Sequence, residues 1–258
     1  MSVQIHPAAI VDPGADIGSD VVIGPYAVIE DNVVIGSGSV IKAGAHIACG
    51  SRLGEEVQVF SYAVVGTIPQ DLKFGGEDTA LEVGSRTVIR EFATMNRGTE
   101  ATGKTVVGSD CLFMAYSHVA HDCIVGNHCI LANSATLAGH VTLEDWVIIG
   151  GLVPIHQFVR IGCHAMIGGG WRVSKDVPPY VTAAGNPLRP VDINKIGLKR
   201  RDFSDETLSQ LKKAYKLLFR SKTDLKRSLE SLGSLGDLGP EVEHLKRFIQ
   251  SSERGVIL

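Results

Sequence analysis

Long apolar runs are missing from this sequence of 258 residues. No uninterrupted apolar stretch approaches the length of about 18 residues that a membrane-spanning helix needs, so we expect no membrane span. The first ten residues, MSVQIHPAAI, lack the charged and apolar regions of a secretory signal. The cysteines number five and show no framework spacing, which fits a reducing compartment. Together these absences favour a cytoplasmic protein.

Aromatic residues and net charge are also scarce. Aromatic side chains make up 6% of the chain and hydrophobic residues 44%, so we expect a core of small aliphatic layers. The formal net charge of −3 argues against general binding of nucleic acid, for which a basic surface is needed. Neither a membrane nor a nucleic acid is therefore an expected partner.

A large apolar residue recurs at every sixth position from Ile5 to Val173. Only Asp71, Glu77 and Ala101 depart from this pattern. A period of six matches neither a helix, which needs 3.6, nor an amphipathic strand, which needs two. It predicts a parallel β-helix of hexapeptide repeats, in which one branched residue of each short strand points inward. A small residue usually follows four positions later, as a narrow interior requires.

Three hexapeptides close one triangular coil, so residues 18 apart should stack on neighbouring coils at the ordinary strand spacing of about 4.8 Å. Two segments interrupt the pattern. Residues 66–82, GTIPQDLKFGGEDTALE, are predicted to form an excursion loop, and residues 97–105, RGTEATGKT, form a weaker interruption. Loops held by a rigid scaffold often carry function, so both segments are candidates for a site.

The repeat stops after Val173, and a helical pattern begins at Ser204, a good N-cap residue. Further helices are predicted at 223–232 and from Pro240. The sequence therefore predicts an all-β parallel β-helix over residues 1–190, followed by a small α-helical domain over residues 191–258. The basic residues near its start fit either a solvated helix face or a docking patch for an acidic partner.

The histidines of HVAHDC, residues 118–123, lie off the inward positions. The coil spacing places Gly139 one coil after His121 and Gln157 one coil further, with His140 and His156 within one residue of that column. Three hypotheses remain open from the residues alone. The histidines could ligate zinc. His121 could be a general base, with Asp122 to orient it and the backbone N–H of Gly139 to bind an oxyanion. All could also be plain surface residues.

Several motifs together resemble the UDP-N-acetylglucosamine acyltransferase family of lipid A synthesis. They are QDLKF, NRGT, HVAHDCIVGNHCILANSATLAGHV, IHQF, DVPPYV with GNP, and GLKRR, followed by the helical tail. The resemblance covers essentially the whole chain. It implies a left-handed β-helix, a homotrimer with active sites between subunits, and no cofactor or metal. The implied reaction transfers an R-3-hydroxyacyl group from acyl carrier protein to the glucosamine 3-position of UDP-GlcNAc.

The resemblance also implies roles for single residues. His121 matches the general base, Asp122 the acid that assists it, and Gly139 the oxyanion glycine. The remaining matches are to substrate-binding residues. Those around the donor and the sugar nucleotide are His118, His140, His156 and Gln157. Those around the glucosamine are Asp71, Lys73 and Gln70, and those for the nucleotide and carrier-protein phosphates are Asn194, Arg200 and Arg201.

Two features leave the substrates open. Asn96 stands where the family usually has histidine, so a 3-amino-3-deoxy sugar nucleotide, which would give an amide, is an alternative acceptor. Gly169 matches the position that sets acyl length and favours a long chain, but Trp171 nearby leaves that length open. A zinc-dependent β-helix hydratase and a non-catalytic trimeric scaffold remain rival hypotheses. Three cysteines at small inward positions are predicted to be core packing: Cys111, Cys123 and Cys129.

Overall fold

The computed structural model describes residues 2–221, 223–233 and 238–258. Before the first interruption of the repeat, the chain forms β1 (Gln4–Ile5), β2 (Ile10–Val11), β3 (Asp16–Ile17), β4 (Val22–Ile23), β5 (Val28–Ile29), β6 (Val34–Ile35), β7 (Val40–Ile41), β8 (His46–Ile47), β9 (Ser51–Leu53), β10 (Gln58–Val59) and β11 (Val64–Thr67). Between the interruptions lie β12 (Ala80–Val83), β13 (Val88–Ile89) and β14 (Thr94–Asn96).

After the second interruption the regular repeat resumes. It forms β15 (Lys104–Val107), β16 (Leu112–Phe113), β17 (His118–Val119), β18 (Ile124–Val125), β19 (Ile130–Leu131), β20 (Thr136–Leu137), β21 (Thr142–Leu143), β22 (Ile148–Ile149), β23 (Pro154–Ile155), β24 (Arg160–Ile161) and β25 (Met166–Ile167). A hairpin and helices follow: β26 (Val181–Ala184), β27 (Arg189–Ile193), α1 (Lys195–Lys199), α2 (Asp205–Phe219), α3 (Leu225–Gly233) and α4 (Gly239–Gln250).

The strands form three sheets along the coil. The first sheet takes every third strand from β1 to β25 and then the hairpin, the second runs from β2 to β23, and the third from β3 to β24. Pairing is parallel except between β26 and β27. Ile5 pairs with Ile23 and Val119 with Leu137, which is the predicted stacking of residues 18 apart. We call the turns after the three sheets the first, second and third edges.

The core fills the triangular interior with the predicted residues. Most side chains at the six-residue spacing are buried, and so are those four positions later, including Cys111, Cys123 and Cys129. The turns at the edges need one residue of left-handed backbone per corner, and non-glycine residues adopt it, for example Asp122 at φ 59° and His140 at φ 61°. Because the same tight turn recurs on each coil, residues at equivalent turn positions lie one above another along an edge.

The C-terminal part begins with the hairpin that extends the first sheet. β27 crosses the boundary predicted at 190/191, so the division into two domains stays a prediction. Ser204 caps α2, since its Oγ accepts from the N–H of Thr207 at 3.0 Å. α4 lies against the last coils, where the Arg160 guanidinium stacks over Phe248 at 4.8 Å. None of the described helices has the length and apolar character to cross a membrane.

Candidate active site

The second edge carries a histidine and a carboxylate in contact. His121 Nδ1 lies 2.7 Å from Asp122 Oδ2. The Asp122 side chain is fully buried, whereas His121 keeps part of its ring exposed. A buried carboxylate accepts the Nδ1–H, which leaves the lone pair of Nε2 free to take a proton. The pair is therefore arranged as a base with an orienting anion.

Asp122 receives further donors from the loop at 97–105. Its Oδ1 accepts from the backbone N–H of Thr99 at 2.9 Å and from Thr102 Oγ1, and its Oδ2 accepts from Thr99 Oγ1 at 2.7 Å. Burial alone would raise the pKa of Asp122, but hydrogen bonds from Thr102, His121 and Thr99 outweigh it and lower the pKa to about 2. Asp122 is therefore ionised throughout the neutral range.

Gly139 lies directly beside the His121 ring on the next coil. A Cβ at this glycine would lie 2.6 Å from His121 Cε1 and 2.8 Å from Nε2, closer than real contacts allow. Among the hydrogen bonds of the described residues, the Gly139 N–H has no acceptor, although its carbonyl accepts from Phe158. A free N–H beside an imidazole with no side chain between them suits an oxyanion.

His140 completes this cluster from the same turn. Its ring meets His121 edge-on at 5.3 Å, and its Nε2 lies 3.6 Å from Asp122 Oδ2. On the other side it stacks on Phe158 at 4.5 Å. The ring is thus fixed between a carboxylate and an aromatic face.

The excursion loop reaches this cluster. A cavity of about 250 Å³ opens between the excursion loop and the loop at 97–105, with His140 at its wall. The lining residues are Asp71, Lys73, Phe74, Glu77, Thr99, Glu100, Ala101 and His140. Asp71 Oδ1 accepts from the backbone N–H of Lys73 at 3.0 Å, so the carboxylate also shapes its own turn. The fold therefore brings two residues predicted to hold the acceptor to His140, whose ring contacts that of the predicted base, His121.

Asn96 lies at the root of the excursion loop rather than on an open surface. It is 2% exposed, and its Nδ2 donates to Thr67 Oγ1 at 3.1 Å and to the Ile68 carbonyl at 3.0 Å. Its Oδ1 is buried and lacks a partner among the described residues. Gln70 is exposed on the same loop. Contact of Asn96 or Gln70 with an acceptor stays a prediction.

The other predicted histidines surround the cluster at some distance. His118 lies in β17, with Nδ1 2.7 Å from Thr94 Oγ1. Burial and then the charge of His121 lower the pKa of His118, so it is neutral at pH 7. His156, one coil below Gly139, has Nδ1 2.8 Å from Nη2 of Arg254. Gln157 is exposed beside it.

Four predicted site residues lie elsewhere in the single chain. Gly169 is on the first edge, and the ring of Trp171 lies over Gly168. Asn194 caps α1 and donates to the His164 carbonyl at 2.9 Å. Arg200 is exposed beside the first sheet, whereas Arg201 stacks on Trp146 at 4.6 Å on the third edge. Within one chain these residues do not meet His121.

Sequence reasoning missed the donors to Asp122. Thr99 is the last residue of the NRGT motif. The segment at 97–105 departs from the repeat, so the six-residue spacing could not predict that Thr99 contacts Asp122. Arg254 was missed because 98 residues separate it from His156.

His121, Asp122 and His140 also offer three ligand atoms within 4.8 Å of one another, as a metal site would need. The Asp122 oxygens, however, already accept from Thr99, Thr102 and His121.

Comparisons with known proteins assign this site to a family. The model of domain 2 of UDP-N-acetylglucosamine O-acyltransferase matches residues 176–257, and that of the bacterial transferase hexapeptide (six repeats) matches residues 14–49 and 104–139. The acyl-[acyl-carrier-protein]–UDP-N-acetylglucosamine O-acyltransferase of Burkholderia lata is 47% identical, over 98% of this chain and 99% of its own. The chain belongs to the UDP-N-acetylglucosamine O-acyltransferase family.

Other members support the same assignment. The enzyme of the same name from Janthinobacterium sp. is 48% identical over 98% of both chains. The crystal structure of UDP-N-acetylglucosamine acyltransferase from Bacteroides fragilis superposes with a TM-score of 0.97 at 44% identity, over 99% of this chain and 100% of its own. The predicted left-handed parallel β-helix with a small helical part is confirmed, and so is the predicted acyltransferase. The zinc hydratase hypothesis has no support from these relatives.

Proposed function

We propose that this acyltransferase carries an R-3-hydroxyacyl group from acyl carrier protein to the glucosamine 3-position of UDP-GlcNAc, the first step of lipid A biosynthesis. The names of its relatives give both substrates. The observation that carries the proposal is the His121–Asp122 pair at 2.7 Å beside the free N–H of Gly139, next to the cavity of the excursion loop. We infer that the reaction takes place in the cytoplasm.

The geometry supports direct transfer. His121 Nε2 removes the proton from the 3-hydroxyl, whose oxygen forms a bond to the thioester carbonyl carbon. The carbonyl oxygen becomes an oxyanion and accepts from the N–H of Gly139. When the carbonyl re-forms, the carbon–sulfur bond breaks, and the proton held by His121 passes to the leaving thiolate. Asp122 stays ionised and stabilises the charged imidazole in between.

The excursion loop supplies the acceptor contacts in this proposal. Asp71 and Lys73 line the cavity that ends at His140, so a glucosamine held there would lie beside the base. The Asp71 carboxylate can accept from sugar hydroxyls, and the Lys73 ammonium, which has no ion-pair partner among the described residues, can donate to sugar oxygens. Gln70 lies on the same excursion loop, and Asn96 lies at the root of that loop.

A homotrimer completes the site. Gly169, Asn194, Arg200 and Arg201 lie away from the second edge of their own chain, so only another copy can bring them to His121. The flat guanidinium of arginine binds phosphate oxygens through two parallel hydrogen bonds, which suits a sugar nucleotide and the carrier-protein prosthetic group. We infer that these residues, with His118, His156 and Gln157, line the donor and nucleotide parts of a site shared between subunits.

A 3-amino-3-deoxy sugar nucleotide is the second candidate acceptor. Asn96 replaces the usual histidine, and the cavity carries three carboxylates, Asp71, Glu77 and Glu100, against the single cation Lys73. An acidic cavity favours a protonated amine over a neutral hydroxyl. Transfer to this acceptor would give an amide. The bound ammonium first loses one proton to solvent, and the free amine then attacks the thioester carbonyl while His121 takes the second proton and passes it to the leaving thiolate.

The test measures acyl transfer from 3-hydroxyacyl carrier protein to UDP-GlcNAc and, in parallel, to its 3-amino analogue. We expect His121→Ala to lower kcat by about 10²- to 10⁴-fold, the usual contribution of a general base. His128→Ala, on the third edge, is the matched control and should keep the native rate. Near-native transfer by His121→Ala would refute the proposed base, and loss of activity with a chelator would favour a metal mechanism. Equal rates on both acceptors would remove a role for Asn96 in acceptor choice.

A further inference from the structure

The loop at 97–105 has two sides with different contacts. One side, through Thr99 and Thr102, faces the Asp122 carboxylate. The other side, through Thr99, Glu100 and Ala101, lines the cavity with Asp71 and Lys73. A single short segment therefore contacts both the partner of the proposed base and the space proposed for the acceptor.

We propose that Thr99 and Thr102 are positioning residues for the transfer reaction, whose hydroxyls hold the Asp122 carboxylate in the orientation that aligns His121. This inference rests on the proposed function of His121 as the base. The two threonines touch neither the acyl group nor the proton in this proposal, and they act through Asp122.

The hydrogen bonds explain why these hydroxyls matter. His121 Nδ1 donates to the same Oδ2 oxygen that accepts from Thr99 Oγ1, and Thr102 holds the opposite oxygen. A buried carboxylate that loses such donors carries the cost of unsatisfied acceptors and rotates or gains other partners. Rotation about the Cβ–Cγ bond of Asp122 would move Oδ2 away from His121. The hydrogen bond that keeps the proton on Nδ1 of His121 would then be lost.

The loop is built to keep these donors in place. Its two ends meet so closely that a Cβ on Gly98 would lie 2.3 Å from the Lys104 nitrogen, so only glycine fits. The Gly103 N–H donates to the Thr99 carbonyl at 2.8 Å, which closes the turn. Below the loop, Thr105 Oγ1 accepts from the N–H of Asp122 at 2.8 Å. Asp122 is thus held through both its backbone and its side chain.

The shared loop also links the acceptor to the base. A sugar that fills the cavity would press on Thr99 to Ala101, and Thr99 itself carries two of the donors to Asp122, its backbone N–H and its hydroxyl. Removing the hydroxyls should therefore lower the rate of the bound complex more than the affinity for the acceptor. The separation of kcat from KM distinguishes this role from direct binding.

The experiment measures kcat and KM for acyl transfer with Thr99→Val, Thr102→Val and the conservative Thr99→Ser and Thr102→Ser. We expect each valine variant to lower kcat about tenfold, the low end of the loss seen when a residue that orients a metal-ligating side chain is removed, with KM for the acceptor within about twofold. The serine variants should recover most of the rate, because they restore the hydroxyl. Thr102 is exposed, so its substitution keeps the fold even where Thr99→Val does not.

Two controls make the result specific. Thr87→Val removes a buried hydroxyl that also makes two hydrogen bonds, to Gly108 and from Cys111, but lies away from the second edge, so kcat should not change. In the Asp122→Asn background, Thr102→Val should have little further effect, because residues that act through one group are not additive.

The outcomes separate the inference from the proposed function. Native kcat in both valine variants, a rise confined to KM, or a full additional loss in the Asp122→Asn background would overturn the positioning role. If His121→Ala also transferred at the native rate, the proposed base itself would be wrong. A loss with His121→Ala but none with either valine variant would refute the threonine role alone.

Discussion

At residue 139 the space beside the His121 ring admits no side chain. A Cβ there would lie 2.6 Å from Cε1, and the neighbour that would have to move is the proposed base. The backbone of Gly139 does not have positive φ, so its need for glycine arises from this contact and not from the turn. Glycine at this position therefore leaves the backbone N–H uncovered and leaves room for the His121 ring.

We predict that Gly139→Ala lowers kcat at least 100-fold, because the methyl group displaces the imidazole and covers the N–H proposed for the oxyanion. The thermal midpoint should fall by only a few degrees, since the ring is partly exposed and can shift outward. Steady-state transfer assays and thermal melts measure the two effects. Gly14→Ala is the control on the same edge, where the nearest atom is the flexible Asp12 carboxylate at 3.2 Å. Native activity in Gly139→Ala would contradict the prediction.

At this scale the sequence could predict contacts that obey the repeat. The spacing of 18 places Gly139 against His121, and the structure has them in contact. It could not place Thr99 against Asp122, because the inserted loop at 97–105 has no fixed phase. For Asn96 the sequence could not predict that the side chain is buried and donates to Thr67; its expected place near the acceptor stays a prediction.

At the scale of secondary-structure elements, a column of stacked rings on the third edge packs against the C-terminal helical part. His164 stacks between Trp146 at 6.1 Å and Tyr180 at 5.7 Å and meets Phe203 edge-on at 5.0 Å. Its Nδ1 is buried and has no hydrogen-bond partner in the part of the chain that the structure describes. Burial and then the charge of Arg201 lower the pKa of His164 to about 4.

This column predicts an acid sensitivity. In the unfolded chain the pKa of His164 returns to about 6.5, so between pH 6.5 and 4 the unfolded state binds a proton that the folded state does not. Stability is therefore lost as the pH falls through this window. Arg201 and His244 oppose protonation in the fold, and Asp145 favours it.

We predict that His164→Phe loses less stability between pH 7 and pH 4.5 than the native protein does, because phenylalanine keeps the stack and cannot titrate. Thermal or denaturant unfolding across this range measures the effect. His128→Phe, on the same edge and stacked on Trp146, should follow the native protein. An identical pH dependence of His164→Phe and the native protein would show that His164 does not carry this sensitivity.

Elements were predictable where local signals define them. Ser204 and the acidic first turn predicted α2, and α3 and α4 begin within two residues of the predicted helices. Their docking was not predictable, because it depends on pairs that are distant in sequence. Glu144, for instance, accepts from His244 at 2.8 Å across 100 residues. Hydrophobic periodicity predicts that a helix has a buried face but not what covers it.

At the scale of the whole molecule, the first edge presents a row of exposed aromatic rings. Tyr62, Phe92 and Tyr116 stack in a row, with ring centroids 5.5 and 5.1 Å apart. Tyr62 is 57% and Tyr116 61% exposed, and beyond Ser134 on the following coil Leu152 is 70% exposed on the same edge. Exposed apolar surface of this kind is typical of an interaction site. Gly169, which we infer to set acyl length, lies on the same edge, so a second copy is the occupant that the proposed site requires.

We predict that the native protein has three times the chain mass of 27.5 kDa in solution and that Phe92→Glu shifts it toward a single chain. A charge in the middle of the row would be buried without a partner in the assembly, whereas Phe92→Leu keeps the surface apolar and should stay trimeric. Glutamate suits this turn, since Glu56 adopts φ 55° at the same turn position on the third edge. Light scattering after size exclusion measures the mass, and a trimeric Phe92→Glu would exclude this edge from the interface. Because the proposed site takes Gly169 and Asn194 from another copy, the dissociated variant should lose acyl transfer although its own His121–Asp122 pair is unchanged.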